Sequence, residues 1–227
     1  MSQIPLLPAV EFESAPHPTH AVIWLHGLGA DGHDFEPILD EFDVDRFPPT
    51  RFVFPHAPMQ PVTVNGGYVM RAWYDIVSPD FTQRREDAAG VRASAEQLGA
   101  LMARENARGV PDERIVLAGF SQGGAVILHA GLRHSRRLAG LLALSTYLPL
   151  AETLADEAAP ANRDVPIFMA HGRQDGVIPY SFAEASAQGL LAAGYRVDWR
   201  AYPADHGLCL EEVRDIEDWL ATVMQPG

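Results

Sequence analysis

Short runs of apolar and β-branched residues recur at positions 21–25, 51–54, 115–118, 141–145, 165–170 and 197–202, separated by stretches whose apolar residues fall three and four apart. Runs of that length, bounded by turn-forming residues, read as strands, and the 3.6-residue period between them reads as helix. Alternation of the two predicts βαβ units and a mostly parallel central sheet flanked by helices, an α/β architecture. A further run at 10–14 predicts one more strand at the sheet edge. From 86 to 108, Ala88, Val91, Ala95, Leu98 and Met102 mark one stripe of a long amphipathic helix with Arg and Glu between them. Gly90 and Gly99 each cost that helix about 1 kcal/mol relative to alanine, so it depends on packing. The last helix follows the same rule: Val213, Ile216, Leu220 and Val223 face inward, Glu212, Asp215 and Asp218 face solvent, and Pro226 stops it.

Between 55 and 79 neither period holds. Pro58, Pro61, Asn65, Gly66 and Gly67 break helix, yet Tyr68, Met70, Trp73 and Tyr74 are large and apolar, which predicts an irregular, packed loop lying over a functional site. No repeat, low-complexity tract or linker interrupts the pattern. With 227 residues there is material for one large core, so residues 1–227 are expected to form a single domain.

Charge and composition remove several classes of function. Asp and Glu number 30 against 17 basic residues, a net charge of −13, which disfavours nucleic acid and anionic membrane surfaces as partners. Every one of the 17 basic residues is arginine. Without lysine, neither a Schiff-base mechanism nor a Walker-type phosphate loop is available. Cys209 is the only cysteine, which rules out an intrachain disulfide, a C-x-x-C pair and a multi-cysteine metal site and fits a reducing compartment. The start of the chain has no Arg or Lys before Arg46 and no long apolar core, unlike a secretory signal. The longest mostly apolar stretch, 138–150, is shorter than the roughly 20 residues of a membrane span. A soluble cytoplasmic protein without integral membrane association is the expectation.

The chemistry begins at Gly119-Phe120-Ser121-Gln122-Gly123, which joins the run at 115–118 to the apolar, helical Gly124-Ala125-Val126-Ile127-Leu128. A serine between a buried strand and a helix, with glycine on both flanks, is the sequence form of a nucleophile elbow. The glycines keep so tight a turn from colliding with its neighbours, and the helix N-terminus supplies free N–H groups beside the serine. Serine needs a histidine to take its proton and a carboxylate to orient that histidine, in this architecture in the chain order Ser, Asp, His. Asp175, in His171-Gly172-Arg173-Gln174-Asp175-Gly176, follows one predicted strand, and His206, in Tyr202-Pro203-Ala204-Asp205-His206-Gly207, follows the next. Both emerge at the carboxyl edge of the sheet, as Ser121 does. Asp164 and Asp198 precede or lie within strands and do not reach that edge, whereas Asp205 competes with Asp175 for the orienting role. His26-Gly27-Leu28-Gly29, after the strand at 21–25, can bend one N–H toward a developing oxyanion, so Leu28 and Gln122 are the candidate donors. His129 and His134 fall on helical segments and read as structural. No H-E-x-x-H or clustered His/Asp spacing is present, so no metal is expected.

Taken together, these segments, with Ile178-Pro179, Arg71-Ala72-Trp73-Tyr74-Asp75-Ile76 and Leu144-Ser145-Thr146-Tyr147-Leu148-Pro149, resemble the phospholipase/carboxylesterase family of α/β-hydrolases over nearly the whole chain. That family includes acyl-protein thioesterases and small bacterial carboxylesterases. The resemblance implies an α/β-hydrolase fold without a large cap domain, no cofactor, and hydrolysis of small acyl esters or thioesters through an acyl-enzyme. Lysophospholipids and S-acylated proteins are substrates of some members, and several are homodimers, so a homodimer is an expectation here. Trp73 and Leu148, apolar residues in segments shared with the family, are candidate walls of the acyl pocket. One departure is visible: Tyr202-Pro203-Ala204-Asp205 stands where bacterial members often carry Tyr-Pro-Met-Gly, which sets a second carboxylate beside His206. A dienelactone-hydrolase-like enzyme is the nearest alternative but uses cysteine at the elbow. A non-catalytic binding protein on the same fold would usually lack one triad member.

Overall fold

A computed structural model describes residues 4–78 and 86–225 of the chain. Seven strands form the main sheet: β1 (Ala9–Glu13), β2 (His20–Leu25), β3 (Thr50–Pro55), β6 (Ile115–Phe120), β7 (Gly140–Leu144), β8 (Pro166–Gly172) and β9 (Arg196–Tyr202), in the spatial order β1-β3-β2-β6-β7-β8-β9. Strand β1 runs antiparallel at one edge and every other pairing is parallel. The six runs read from the sequence and the extra edge strand are all present, shifted by one or two residues at their ends.

Burial explains why the central strands read as unbroken apolar runs. In β2, Ala21, Ile23 and Leu25 join one core layer and Val22 and Trp24 the other; in β6, Ile115 and Leu117 divide from Val116 and Ala118 in the same way. A strand covered on both faces has no solvent side to make polar. The first layer is completed by α1 (Ala88–Ala107), α2 (Gln122–Arg133) and α4 (Tyr180–Ala192), and the second by α5 (Leu210–Val223) with Ile38, Phe42 and Phe47 from short turns after β2. A one-turn helix, α3 (Leu154–Glu157), lies between β7 and β8.

Helix α1 buries Val91, Leu98 and Met102 of its anticipated stripe, and the Asp87 side chain caps it by accepting the Gly90 N–H at 2.9 Å. Helix α5 buries Val213, Ile216 and Leu220 as expected, but it also buries Glu212, which the sequence pattern assigned to solvent. Glu212 stands one turn before Ile216 and two before Leu220, so it shares their stripe. Pro226, read as the stop of this helix, lies outside the described residues, as does Pro79.

The 55–79 segment is more regular than the sequence suggested. It contains a two-stranded antiparallel hairpin, β4 (Met59–Val62) with β5 (Tyr68–Arg71), turned through Gly66 and Gly67 at φ +68° and +78°. Pro61 sits in β4 opposite Val69; a hairpin with two free edges tolerates a residue that donates no N–H, where a central strand would not. Among the described residues no helix is long and apolar enough to cross a membrane.

Candidate active site

Strands β2, β6, β8 and β9 all end at one edge of the sheet, and the loops that leave them carry His26, Ser121, Asp175 and His206. Parallel pairing in register sets this: Leu25 lies beside Gly119, and Gly172 beside Tyr202. Ser121 occupies the junction of β6 and α2 at φ +54°, ψ −119°, a conformation that costs a non-glycine residue roughly 1–3 kcal/mol. The turn is held by the Ser121 N–H donating to Leu144 O at 2.8 Å and by Thr146 Oγ1 donating to Ser121 O at 2.6 Å. Its glycines are required: a Cβ on Gly119 would meet the Gly123 backbone at 2.5 Å, and one on Gly123 would meet Leu25 O at 2.4 Å.

The side chains of the three loops converge. His206 Nε2 lies 3.0 Å from Ser121 Oγ and Nδ1 lies 2.7 Å from Asp175 Oδ2. A carboxylate only accepts, so Nδ1 carries the proton and Nε2 is free to receive the serine proton. Asp175 Oδ1 accepts the N–H groups of Val177 and Ile178, both at 2.8 Å, while Oδ2 also lies 3.2 Å from His171 Nε2. Burial alone would raise this carboxyl's pKa, but the donors of His171, His206 and the two amides outweigh it and hold it well below the usual range. Asp205, the rival carboxylate, is exposed and its side chain makes no hydrogen bond among the described residues, so Asp175 is the group beside the His206 ring.

Leu28 and Gln122 flank Ser121 on the wall of a cavity of about 260 Å³. Their N–H groups donate to no acceptor among the described residues; that of Gln122 belongs to the first turn of α2, where the helix offers none. The Leu28 loop is pinned from below. His26 Nδ1 donates to Gly27 O at 2.6 Å and Nε2 accepts the Ala57 N–H at 3.0 Å, an arrangement of the neutral ring, whose pKa burial lowers. The Trp73 indole donates to His26 O at 2.8 Å, and the Gln122 side chain accepts the Trp73 N–H at 2.8 Å and donates to Tyr74 O at 2.6 Å. Trp73 therefore lies beneath the loop that presents Leu28, not on the cavity wall where the sequence reading put it. Leu148 is likewise absent from that wall; it borders a separate hollow with Phe182 and Ala151.

The apolar lining that sequence reasoning missed comes from Val64 on the hairpin turn, Tyr74, Ile76, Tyr147 and Ile178. The Tyr74 and Tyr147 hydroxyls hydrogen-bond to each other, so the cavity wall carries two polar groups already satisfied. Asn65-Gly66 was the one local signal for the hairpin that brings Val64 here. On the other side of His206 a more open groove runs past Phe35, Phe120 and Leu208. Such an arrangement can bind an acyl group in the narrower cavity, leave the departing group in the groove, and transfer the acyl group to Ser121. Among the described residues no three His, Cys, Asp or Glu side chains are grouped to hold a metal ion.

Residues 8–224 match the sequence profile of the phospholipase/carboxylesterase family. The chain is 41% identical over 224 residues to acyl-protein thioesterase 1 of Neurospora crassa, covering 95% of this chain and 89% of that protein. It is 36% identical over 217 residues to a probable carboxylesterase of Oryza sativa subsp. japonica, covering 95% and 82%. Among solved structures, that of Arabidopsis thaliana SOBER1 superposes with a TM-score of 0.85 at 30% identity, covering 91% of this chain and 99% of that one.

Proposed function

The chain belongs to the phospholipase/carboxylesterase family and is a hydrolase of esters and thioesters, and on that premise we propose that Ser121, His206 and Asp175 are its catalytic triad. The observation that carries the assignment is one ring bridging two groups, His206 between Ser121 Oγ and the buried Asp175 carboxylate. In the cycle, Nε2 takes the Ser121 proton as Oγ attacks the carbonyl carbon, and the carbonyl electrons move onto oxygen. The N–H groups of Leu28 and Gln122 receive that oxyanion, each contributing about 3 kcal/mol in the transition state. Collapse expels the alcohol or thiol, which leaves with the proton from Nε2. Water then repeats the attack on the acyl-enzyme with the same base and the same donors.

Asp175 holds His206 in the tautomer this requires and balances its transient charge. Substrates are small-molecule acyl esters or thioesters whose acyl chain enters the cavity walled by Tyr74, Tyr147 and Ile178. The whole chain acts as one domain, in the cytoplasm, which its single cysteine supports. The homodimer is carried over from the family resemblance.

The deciding experiment is Ser121→Ala with a panel of aryl esters, acyl thioesters and lysophospholipids. We expect loss of turnover on every member and of covalent labelling by a fluorophosphonate, with an unchanged circular dichroism spectrum. Labelling retained in this variant would overturn the assignment.

A further inference from the structure

The Asp175 carboxylate is gripped by a second imidazole that the acyl-transfer cycle does not use. His171 is the penultimate residue of β8, four positions before Asp175, and both side chains are fully buried. Its Nε2 lies 2.9 Å from Ile178 O and 3.2 Å from Asp175 Oδ2. Both are acceptors, so the ring carries a proton on Nε2, hydrogen-bonded to Ile178 O with Asp175 Oδ2 close beside it. The opposite nitrogen, Nδ1, has no hydrogen-bond partner among the described residues, so a proton placed there would meet no acceptor. The rings of Trp199 and Tyr180 stand 6.4 and 6.3 Å from the imidazole and limit its rotation.

Asp175 Oδ2 thus lies between two rings, His206 on the reacting side and His171 behind, while Oδ1 is filled by two backbone amides. Without His171, Oδ2 would be held by His206 alone, and the charge on that oxygen would fall on His206. We propose that His171 is a positioning residue: through its Nε2 proton it fixes the Asp175 carboxylate against the loop at Ile178 and withdraws part of the charge that Asp175 presents to His206. The proposal rests on the triad reading above. It assigns His171 no contact with substrate. The cycle routes no proton through it.

The test is His171→Phe, which keeps a planar ring among Trp199 and Tyr180 and removes the donor, beside His171→Gln, whose amide can still donate. For His171→Phe we expect kcat to fall about tenfold to a hundredfold, the value of one hydrogen bond to a charged group, with KM unchanged. The acid limb of its pH–rate profile moves to higher pH, because a carboxylate relieved of one donor stabilises the His206 imidazolium more strongly. His171→Gln should recover most of the lost kcat. Turnover and acid limb both at wild-type positions in His171→Phe, or a limb displaced to lower pH, overturn the proposal.

Should the Phe variant fail to fold, the wild-type protein still decides the matter. Nitrogen-15 spectra of its histidines must show His171 protonated at Nε2 and bare at Nδ1 across the active pH range, and the reverse tautomer overturns the proposal. Fluorophosphonate labelling of wild type and Ser121→Ala accompanies the series. A wild-type protein that does not label removes the triad and this inference together, whereas normal labelling with an indifferent His171→Phe removes this inference alone.

Discussion

At the scale of single residues, what separates Asp175 from its neighbour Asp205 is surroundings, not chemistry. Asp175 is buried and held by the donors of His171, His206 and two backbone amides, which keep it ionised beside His206; Asp205, the residue directly before the same histidine, is exposed to water. Asp175→Asn should therefore lower kcat by about 10⁴-fold, because an amide no longer enforces the Nδ1–H tautomer, whereas Asp205→Asn should leave turnover near the wild-type rate. Steady-state assays of the two variants on one aryl ester check this, and comparable losses in both would reassign the orienting role. The depressed pKa also has a sign for stability. What Asp175 contributes is present above the ordinary Asp value of about 4 and is lost only as pH falls below it.

At the scale of elements, helix α5 carries the exception to its own pattern. Burial pushes the Glu212 carboxyl up to about 8 against the backbone of Cys209 at the N-cap, which pulls it down, while Asp215 one turn on adds to the rise. Neither carboxyl oxygen reaches a hydrogen-bond partner among the described residues. The folded protein therefore holds a proton that the unfolded chain releases near pH 4.5, so this residue's effect on stability worsens as pH rises from about 4.5 to about 8. Glu212→Gln removes that titration. Its melting temperature relative to wild type should climb across this range by at least about 2–4 °C, the response of a domain this size to 1 kcal/mol. Melting curves collected from pH 5 to pH 9 test it; a difference that does not vary with pH would mean that Glu212 is ionised in the fold.

At the scale of the whole molecule, buried ion pairs join the layers of the fold. Arg51 of β3, largely buried, reaches the fully buried Glu105 of α1 at 2.7 Å and Glu13 of β1 at 2.9 Å, and Arg108 adds a contact to Glu105 at 3.2 Å. This network ties the antiparallel edge strand and the longest helix to the sheet. Glu105→Ala leaves the Arg51 guanidinium buried with its inner partner gone and should cost about 3–5 kcal/mol, read from urea unfolding. A loss below about 1 kcal/mol would mean that water reaches Arg51.

Strand order along the chain, the two-layer core and the loops that carry Ser121, Asp175 and His206 were legible in the sequence. Their signals are local: apolar period, glycine at sterically closed positions, and the place of a polar residue relative to the end of a strand. The amino acids alone did not decide which of two aspartates meets His206, that Trp73 would brace the Leu28 loop while Tyr74 and Tyr147 wall the cavity, or that Glu212 would be buried. Each of those outcomes depends on which strand ends lie side by side and what fills the space between them. A chain far apart in sequence acquires such neighbours only when the sheet closes.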